Sequence, residues 1–301
     1  MKIQTGQIHG RTGWKLNNEL LSVFLMAGGG HIGSLELKSC PGVNPFWTPH
    51  WKAIEPWRYR SSDAKKYESK LLACISGHNI CLSAFGDASE EENRAGFGCH
   101  GEAPVVRWHC KRKKVTKNQL TFTYGCLLPI AQMEYVRTVI LQAGLSIIRI
   151  RETVDNLGRH DVPFTMCQHV TFGRPFLEPG ITRFDSSAKK GHTYPGIFGK
   201  SHRLKPDTPF TWPYAPGKKG KVDIRFDTKS ANSDFSTNLM DTKVPHAWFS
   251  AVNPDLGLLI AYVWSRSDYP WLGIWQERFA RKQKPWVAKS YTRGMEFSNT
   301  P

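Results

Sequence analysis

Long apolar runs are missing from this chain. The longest, Leu258 to Trp264, is strand-sized, whereas a membrane helix needs about 20 apolar residues. The opening MKIQTGQIHGRTGW has no apolar core of the signal-peptide kind, so the sequence predicts a cytoplasmic protein without membrane contact. Cysteine is sparse and odd in number, 7 without a CxxC pair, which argues against a disulfide framework and fits reduced thiols. Cys99, His100, His109 and Cys110 offer metal donors, but their spacing matches no common zinc pattern. There is no GxGxxG opening a βαβ unit, no P-loop and no GxSxG elbow. The sequence therefore predicts no metal and no nucleotide or other cofactor.

Hydrophobic surface is plentiful: 40% of the 301 residues are hydrophobic, 12% are aromatic, and 11 are tryptophans. That excludes disorder and suffices for one large core. The dominant period is two. Val106, Trp108 and Cys110 alternate with Arg107, His109 and Lys111, as do Leu120, Phe122 and Tyr124 with Gln119, Thr121 and Thr123. Val222, Ile224 and Phe226 alternate likewise with Asp223, Arg225 and Asp227. Such alternation predicts half-buried antiparallel strands.

Longer β segments run over 135–154, divided near Ala143-Gly144, and over 247–266, with a turn at Asn253-Pro254-Asp255. Residues 20–26 and 31–37 read as a hairpin around Gly28-Gly29-Gly30. Helix signals are confined to 63–75, one short helix capped near Ser62 or Asp63, and a single turn at 89–93. No repeat or linker divides the chain. The expectation is an all-β protein, a large antiparallel β-sandwich forming a single domain over 1–301. The late strand Met295-Glu296-Phe297 stops close to Pro301, which predicts an edge strand or native sequence beyond the end.

Lys and Arg outnumber Asp and Glu by 41 to 25, a formal charge of +16. Such an excess attracts phosphorylated or acidic sugars, or nucleic acid. The basic runs, at 111–114, 218–221 and 281–284, lie far apart and read as solvated loop ends. No recognisable nucleic-acid-binding motif accompanies them, so no nucleic-acid partner is expected.

Four polar clusters stand out. Asn93-Arg94 leads into Cys99-His100-Gly101-Glu102, where glycines permit tight turns and close approach of a ligand. His169 lies in an apolar strand, downstream of Arg149, Arg151, Glu152 and Asn156. Glu277 follows Trp275 near the end of a strand, and Glu296 stands between Met295 and Phe297. Aromatic faces stack on sugar C–H faces, and carboxylate and guanidinium bind hydroxyls.

The succession Asn93-Arg94, His100-Gly101, Thr165-x-x-x-His169-x-x-Phe172 and Met295-Glu296 resembles the aldose 1-epimerase group, over most of the chain from about Gly28 onward. The segments Gly28–Gly33 and Asn44–Trp47 are similar to divergent members rather than to the standard sugar mutarotases. The resemblance implies a galactose mutarotase-like supersandwich that interconverts sugar anomers without a cofactor. It implies Glu296 as general base, with Glu277 the competitor, and His169 as general acid. Arg94 and His100 fall on the family's substrate-binding arginine and histidine, and Asp241 is the nearest counterpart of its substrate-binding aspartate; the clusters themselves add Glu102, Arg149, Glu277 and Trp275 as candidate sugar contacts. Glu102 stands where the family's His-Gly-Gly motif has its second glycine. That departure opens the choice of substrate to a modified or oligomeric sugar. A non-catalytic carbohydrate-binding protein and a carbohydrate lyase or hydrolase of the same fold remain alternatives.

Overall fold

A computed structural model describes residues 1–197 and 201–301. The chain folds into two compact units, Met1–Met166 and Cys167–Pro301. Both are built from antiparallel strands, as the period-two sequence dictates.

In the first unit, β1 (Lys2–Ile8), β2 (Arg11–Asn17), β3 (Leu21–Met26), β4 (Ile32–Leu37) and β5 (His78–Leu82) pair in chain order. A four-stranded sheet follows the same rule with β6 (His109–Val115), β7 (Gln119–Leu128), β8 (Met133–Gln142) and β9 (Ile148–Asn156). Alternation sends one face of this second sheet inward. Phe122 and Tyr124 meet Trp14 of β2 with ring centroids 5.1 and 5.9 Å apart. Trp108, fully buried, packs on Tyr124 and Tyr135.

The second unit carries β10 (Met166–Gly173), β11 (Arg183–Ser186), β12 (Ala188–Thr193), β13 (Pro209–Thr211), β14 (Tyr214–Gly217) and β15 (Gly220–Asp223). They are followed by β16 (Asn232–Met240), β17 (His246–Asn253), β18 (Leu258–Ser265), β19 (Trp271–Arg278) and β20 (Tyr291–Ser298). One sheet runs β10-β20-β19-β16-β12-β13, a second β11-β17-β18, and β14 pairs with β15. The core lies between the first two. Phe172 of β10 meets Phe184 and Phe249, and Phe297 of β20 stacks on Trp264 at 4.3 Å.

The hairpins expected at 20–37, 135–154 and 247–266 are all present. Four expectations change. The strand expected from Val105 begins at His109, because Ala103–Val105 is a 3-10 turn, and Cys110 is exposed rather than inward-facing. The strand through Asp227 stops at Asp223, and Asp227 turns inward to ion-pair with buried arginines. The helix over 63–75 is broken: α1 (Ala64–Tyr67) ends at Glu68, with φ of 68°, and α2 (Lys70–Cys74) starts afresh. The Ser69 hydroxyl caps α2 by accepting from the Leu72 N–H at 3.2 Å. Finally, β20 is no edge strand, since it pairs with β10 on one side and β19 on the other. The turn at 89–93 is the start of α3 (Glu90–Ala95), closed by a capping box between Ser89 and Glu92.

Candidate active site

Register decides what can meet on the sheet of the second unit. His169 of β10 stands opposite Glu296 of β20, which stands opposite Gly273 of β19. One row along, Thr171 is opposite Gly294, and Gly294 is opposite Trp275. Because alternate residues share a face, His169, Thr171, Glu296, Trp275 and Glu277 belong to one side of these strands. Val170, Phe172, Arg293, Met295 and Phe297 belong to the other, which covers the core.

The two polar partners meet. His169 Nε2 lies 3.1 Å from Glu296 Oε1, with both side chains almost wholly shielded from solvent. On its other side the imidazole is held by Thr171, whose Oγ1 is 2.9 Å from Nδ1. Two glycines clear the space around the carboxylate. A Cβ on Gly294 would collide with the Glu296 carboxylate, and one on Gly273 would stand 3.4 Å from Glu296 Cβ and 3.2 Å from the Phe235 ring. Aromatic surface adjoins the pair. The Trp275 ring lies 6.0 Å from the His169 ring and 6.1 Å from that of Trp286.

Glu277 sits on the same face but is otherwise engaged. Its Oε1 accepts from the backbone N–H groups of Ala280 and Arg281, both at 2.9 Å, and Oε2 lies 3.4 Å from Arg281 Nε. Arg281 in turn lies over the rings of Trp286 and Trp275, at 4.8 and 5.6 Å. The run that read as a solvated loop end thus has its first member laid across two tryptophans. Asp241, just beyond β16, accepts from the Lys243 N–H at 3.0 Å and pairs with Lys189.

The other expected site residues belong to the first unit. Arg94 is exposed on α3 and pairs with Glu91 one turn away at 3.1 Å. Arg149 is exposed on β9. His100 has φ of 65° and Gly101 φ of 75°. Gly101 is required where it stands, since a Cβ there would strike the Leu82 carbonyl. The His100 ring stacks against Phe85, and its Nδ1 accepts from the Gly86 N–H at 3.2 Å. The Glu102 carboxylate is buried and accepts from the N–H groups of Ile130 and Ala131, in the turn between β7 and β8, at 3.1 and 3.2 Å. Burial raises its pKa, outweighing those two backbone donors. Cavities of about 370 and 350 Å³ in this unit, beside Glu19 and beside His9 and His50, bring no imidazole together with a carboxylate.

Solved structures place this architecture. A galactose mutarotase-like protein from Clostridium acetobutylicum shares 13% identity, with a TM-score of 0.63 over 99% of this chain and 88% of that one. A protein from Salmonella typhimurium provisionally assigned as a mutarotase shares 11%, with a TM-score of 0.64 over 98% and 85%. This is the galactose mutarotase-like fold. One from Klebsiella pneumoniae, provisionally assigned as an aldose 1-epimerase, shares 12% with a TM-score of 0.58 over 98% of this chain and 74% of that one. No protein-family model and no curated sequence matches the chain.

Of the residues singled out from sequence, the structure brings His169, Glu296 and Trp275 together; Thr171, Gly273, Gly294, Arg281 and Trp286, not singled out there, adjoin them. For Thr171 and Gly294 a signal existed: each stands two residues from a candidate catalytic side chain in a strand, hence on its face. Nothing in the sequence foretells that Arg281 and Trp286 belong beside them.

Proposed function

We propose that the second unit carries an acid–base site for opening and reclosing a sugar ring, an aldose 1-epimerase-like activity on a carbohydrate. The observation that carries this reading is the 3.1 Å approach of His169 Nε2 to Glu296 Oε1 on one strand row. In a cyclic aldose, the hydroxyl and the ring oxygen hang on the same anomeric carbon. An acid and a base serving those two oxygens must therefore converge, as this pair does. Glu296 as carboxylate takes the hydroxyl proton while His169 as imidazolium protonates the ring oxygen. The C1–O5 bond breaks, C1–O1 becomes a carbonyl, and rotation about C1–C2 allows closure from the other face. Closure returns both protons, so neither catalyst is consumed. General acid and base each contribute typically about 10²–10⁴-fold.

Thr171 holds the imidazole in place, and Trp275 offers the apolar face on which a sugar ring stacks. Glu296 is favoured over Glu277 as the base, because Glu277 already accepts two backbone N–H groups and faces Arg281. Arg94 and His100 stay in the proposal as the substrate contacts that the family resemblance implies, and Glu102 and Arg149 as sugar contacts read from the sequence clusters alone. The sugar is drawn from a broad class that includes modified and oligomeric forms.

The test is exchange NMR of anomer interconversion across a broad sugar panel. Faster interconversion with the wild type, lost in His169→Ala, is the expected result. Unchanged rates for every sugar would sink the reading, and sugar binding without turnover would leave a carbohydrate-binding protein. Chain cleavage, seen by mass spectrometry of oligosaccharide products, would point instead to a lyase or hydrolase.

A further inference from the structure

The outward face of the β6–β9 sheet carries neither of the proton-transferring groups of that reaction, and Arg149 is its one residue named there as a sugar contact. Its inward face is spent on the aromatic core with Trp14. Outward, register builds two rows across the sheet. Lys114 stands opposite Thr121, Thr121 opposite Ile140, and Ile140 opposite Arg149. The next row runs Arg112, Thr123, Thr138, Arg151. Each row thus has a cation at both ends, and Lys114, Arg112, Arg149 and Arg151 are all exposed. Among the described residues no ion pair engages any of the four. Strands about 4.8 Å apart put the two basic edges about 14 Å from one another, and the rows are about 7 Å apart along the strands.

Between those edges lies a hydroxyl-bearing floor. Thr123 Oγ1 and Thr138 Oγ1 are 3.0 Å apart, and Thr121 Oγ1 accepts from Gln119 Nε2 at 3.1 Å. The footprint has a limit: Glu134 and Asp155 stand opposite each other toward the far end of the sheet, and Glu134 pairs with Lys111. The basic rectangle is therefore a local feature of the half nearer Lys114 and Arg149, not a uniform coat of charge.

We infer that this face binds an acidic polysaccharide, carboxylated or sulfated, laid across the strands. Guanidinium groups match carboxylate and sulfate oxygens with paired N–H donors, and threonine hydroxyls suit a chain rich in hydroxyl groups. A single-stranded nucleic acid is the disfavoured occupant, and a duplex is the competitor that the test below measures. No Phe, Tyr or Trp of these strands points out of the face to stack on a base, and such platforms are what single-strand binders use.

Heparin is the probe, titrated by calorimetry at two salt concentrations against neutral dextran and a short DNA duplex. The expected result is salt-dependent heparin binding, tighter than DNA and absent for dextran. The quadruple variant Arg112→Glu, Lys114→Glu, Arg149→Glu, Arg151→Glu should weaken it by at least about tenfold, because each lost contact removes released counterions. The milder Arg149→Gln, Arg151→Gln pair should weaken it less, by about threefold. Lys218→Glu, Lys219→Glu, Lys221→Glu, Lys229→Glu makes the same change in net charge at exposed positions elsewhere and should leave most of the affinity. Equal loss in that control would overturn the inference in favour of general charge attraction. Tighter binding of the duplex, abolished by the quadruple variant, would overturn it in favour of nucleic acid. Because binding is read without turnover, failure here leaves the His169–Glu296 reading untouched.

Discussion

The strands β10, β20 and β19 bury charge on both of their faces, and the two faces treat it differently. On the core side Asp227 lies between Arg278 and Arg293, all three side chains fully buried. Arg278 donates to the Tyr291 hydroxyl at 2.8 Å and lies over its ring at 4.1 Å, while Arg293 donates to the Ile224 carbonyl and covers the Phe184 ring at 4.3 Å. Burial pushes Arg293 down to about 10, against the pull of Asp227, so it remains charged at neutral pH. On the other side His169 meets Glu296, whose carboxylate fits over Gly294, where a Cβ would collide with it. Buried charge alone therefore does not mark a reactive site. What distinguishes the second face is an imidazole and a carboxylate in direct contact, where the first face pairs its carboxylate with two guanidinium groups.

The sharpest break in that comparison comes from removing the carboxylate on each face. Asp227→Ala leaves two arginines buried without their counter-charge, a loss of about 3–5 kcal/mol. Chemical denaturation should show that drop, and a change below 1 kcal/mol would mean the ion network is not what holds this face. Glu296→Gln removes a carboxylate of similar burial and keeps its shape. Its stability should stay within about 1 kcal/mol of wild type, while anomer interconversion falls by about 10²–10⁴-fold. Equal stability losses in the two variants would erase the distinction between the faces. Retained activity in Glu296→Gln would transfer the base role to Glu277.

A buried imidazole without a carboxylate opposite it sharpens the contrast further. His31, fully buried in the first unit, sits 3.1 Å from the Pro104 carbonyl through Nε2. Burial, and then the charge of Arg11, hold its pKa well below the ordinary 6.5. Below pH 6.5 the unfolded chain takes up a proton that the folded one refuses. The stability this group contributes is thus present above pH 6.5 and lost as pH falls, by at most about 1.4 kcal/mol per pH unit. Thermal unfolding from pH 7.5 to 5 should show the decline, and His31→Gln should flatten it. An unchanged slope in the variant would show that other groups carry the acid sensitivity.

Much of this was legible in the sequence, for a local reason. Alternation in Leu120–Tyr124 and the turn at Asn253-Pro254-Asp255 are short-range signals, and the hairpins they predict exist. The same signal misled at Val222–Asp227, where Asp227 turns inward because two arginines from later strands wait for it. The break at Glu68 was readable in principle, since Ser69 is a good cap, but the lysines around it look like uninterrupted helix. That His169 and Glu296 should stand directly opposite each other was not readable from spacing. The register between strands so distant in sequence is set by packing of Phe172 and Phe297 against the other sheet.

The smallest expected effect concerns Glu102, in the loop after His100. A carboxylate next to His100 reads from sequence as a contact for the sugar. In the fold its oxygens accept from Ile130 and Ala131, so it fastens the turn between β7 and β8. Burial raises its pKa above the ordinary 4.5. The folded state therefore binds the proton more readily than the unfolded chain, and this group weakens the fold as pH rises through that window. Glu102→Gln keeps one acceptor and removes the charge. Its stability should change by about 1 kcal/mol or less at neutral pH, with the pH dependence just above 4.5 reduced and KM for any sugar turned over altered less than about threefold. A large rise in KM with stability unchanged would return Glu102 to the sugar and make it a determinant of substrate choice.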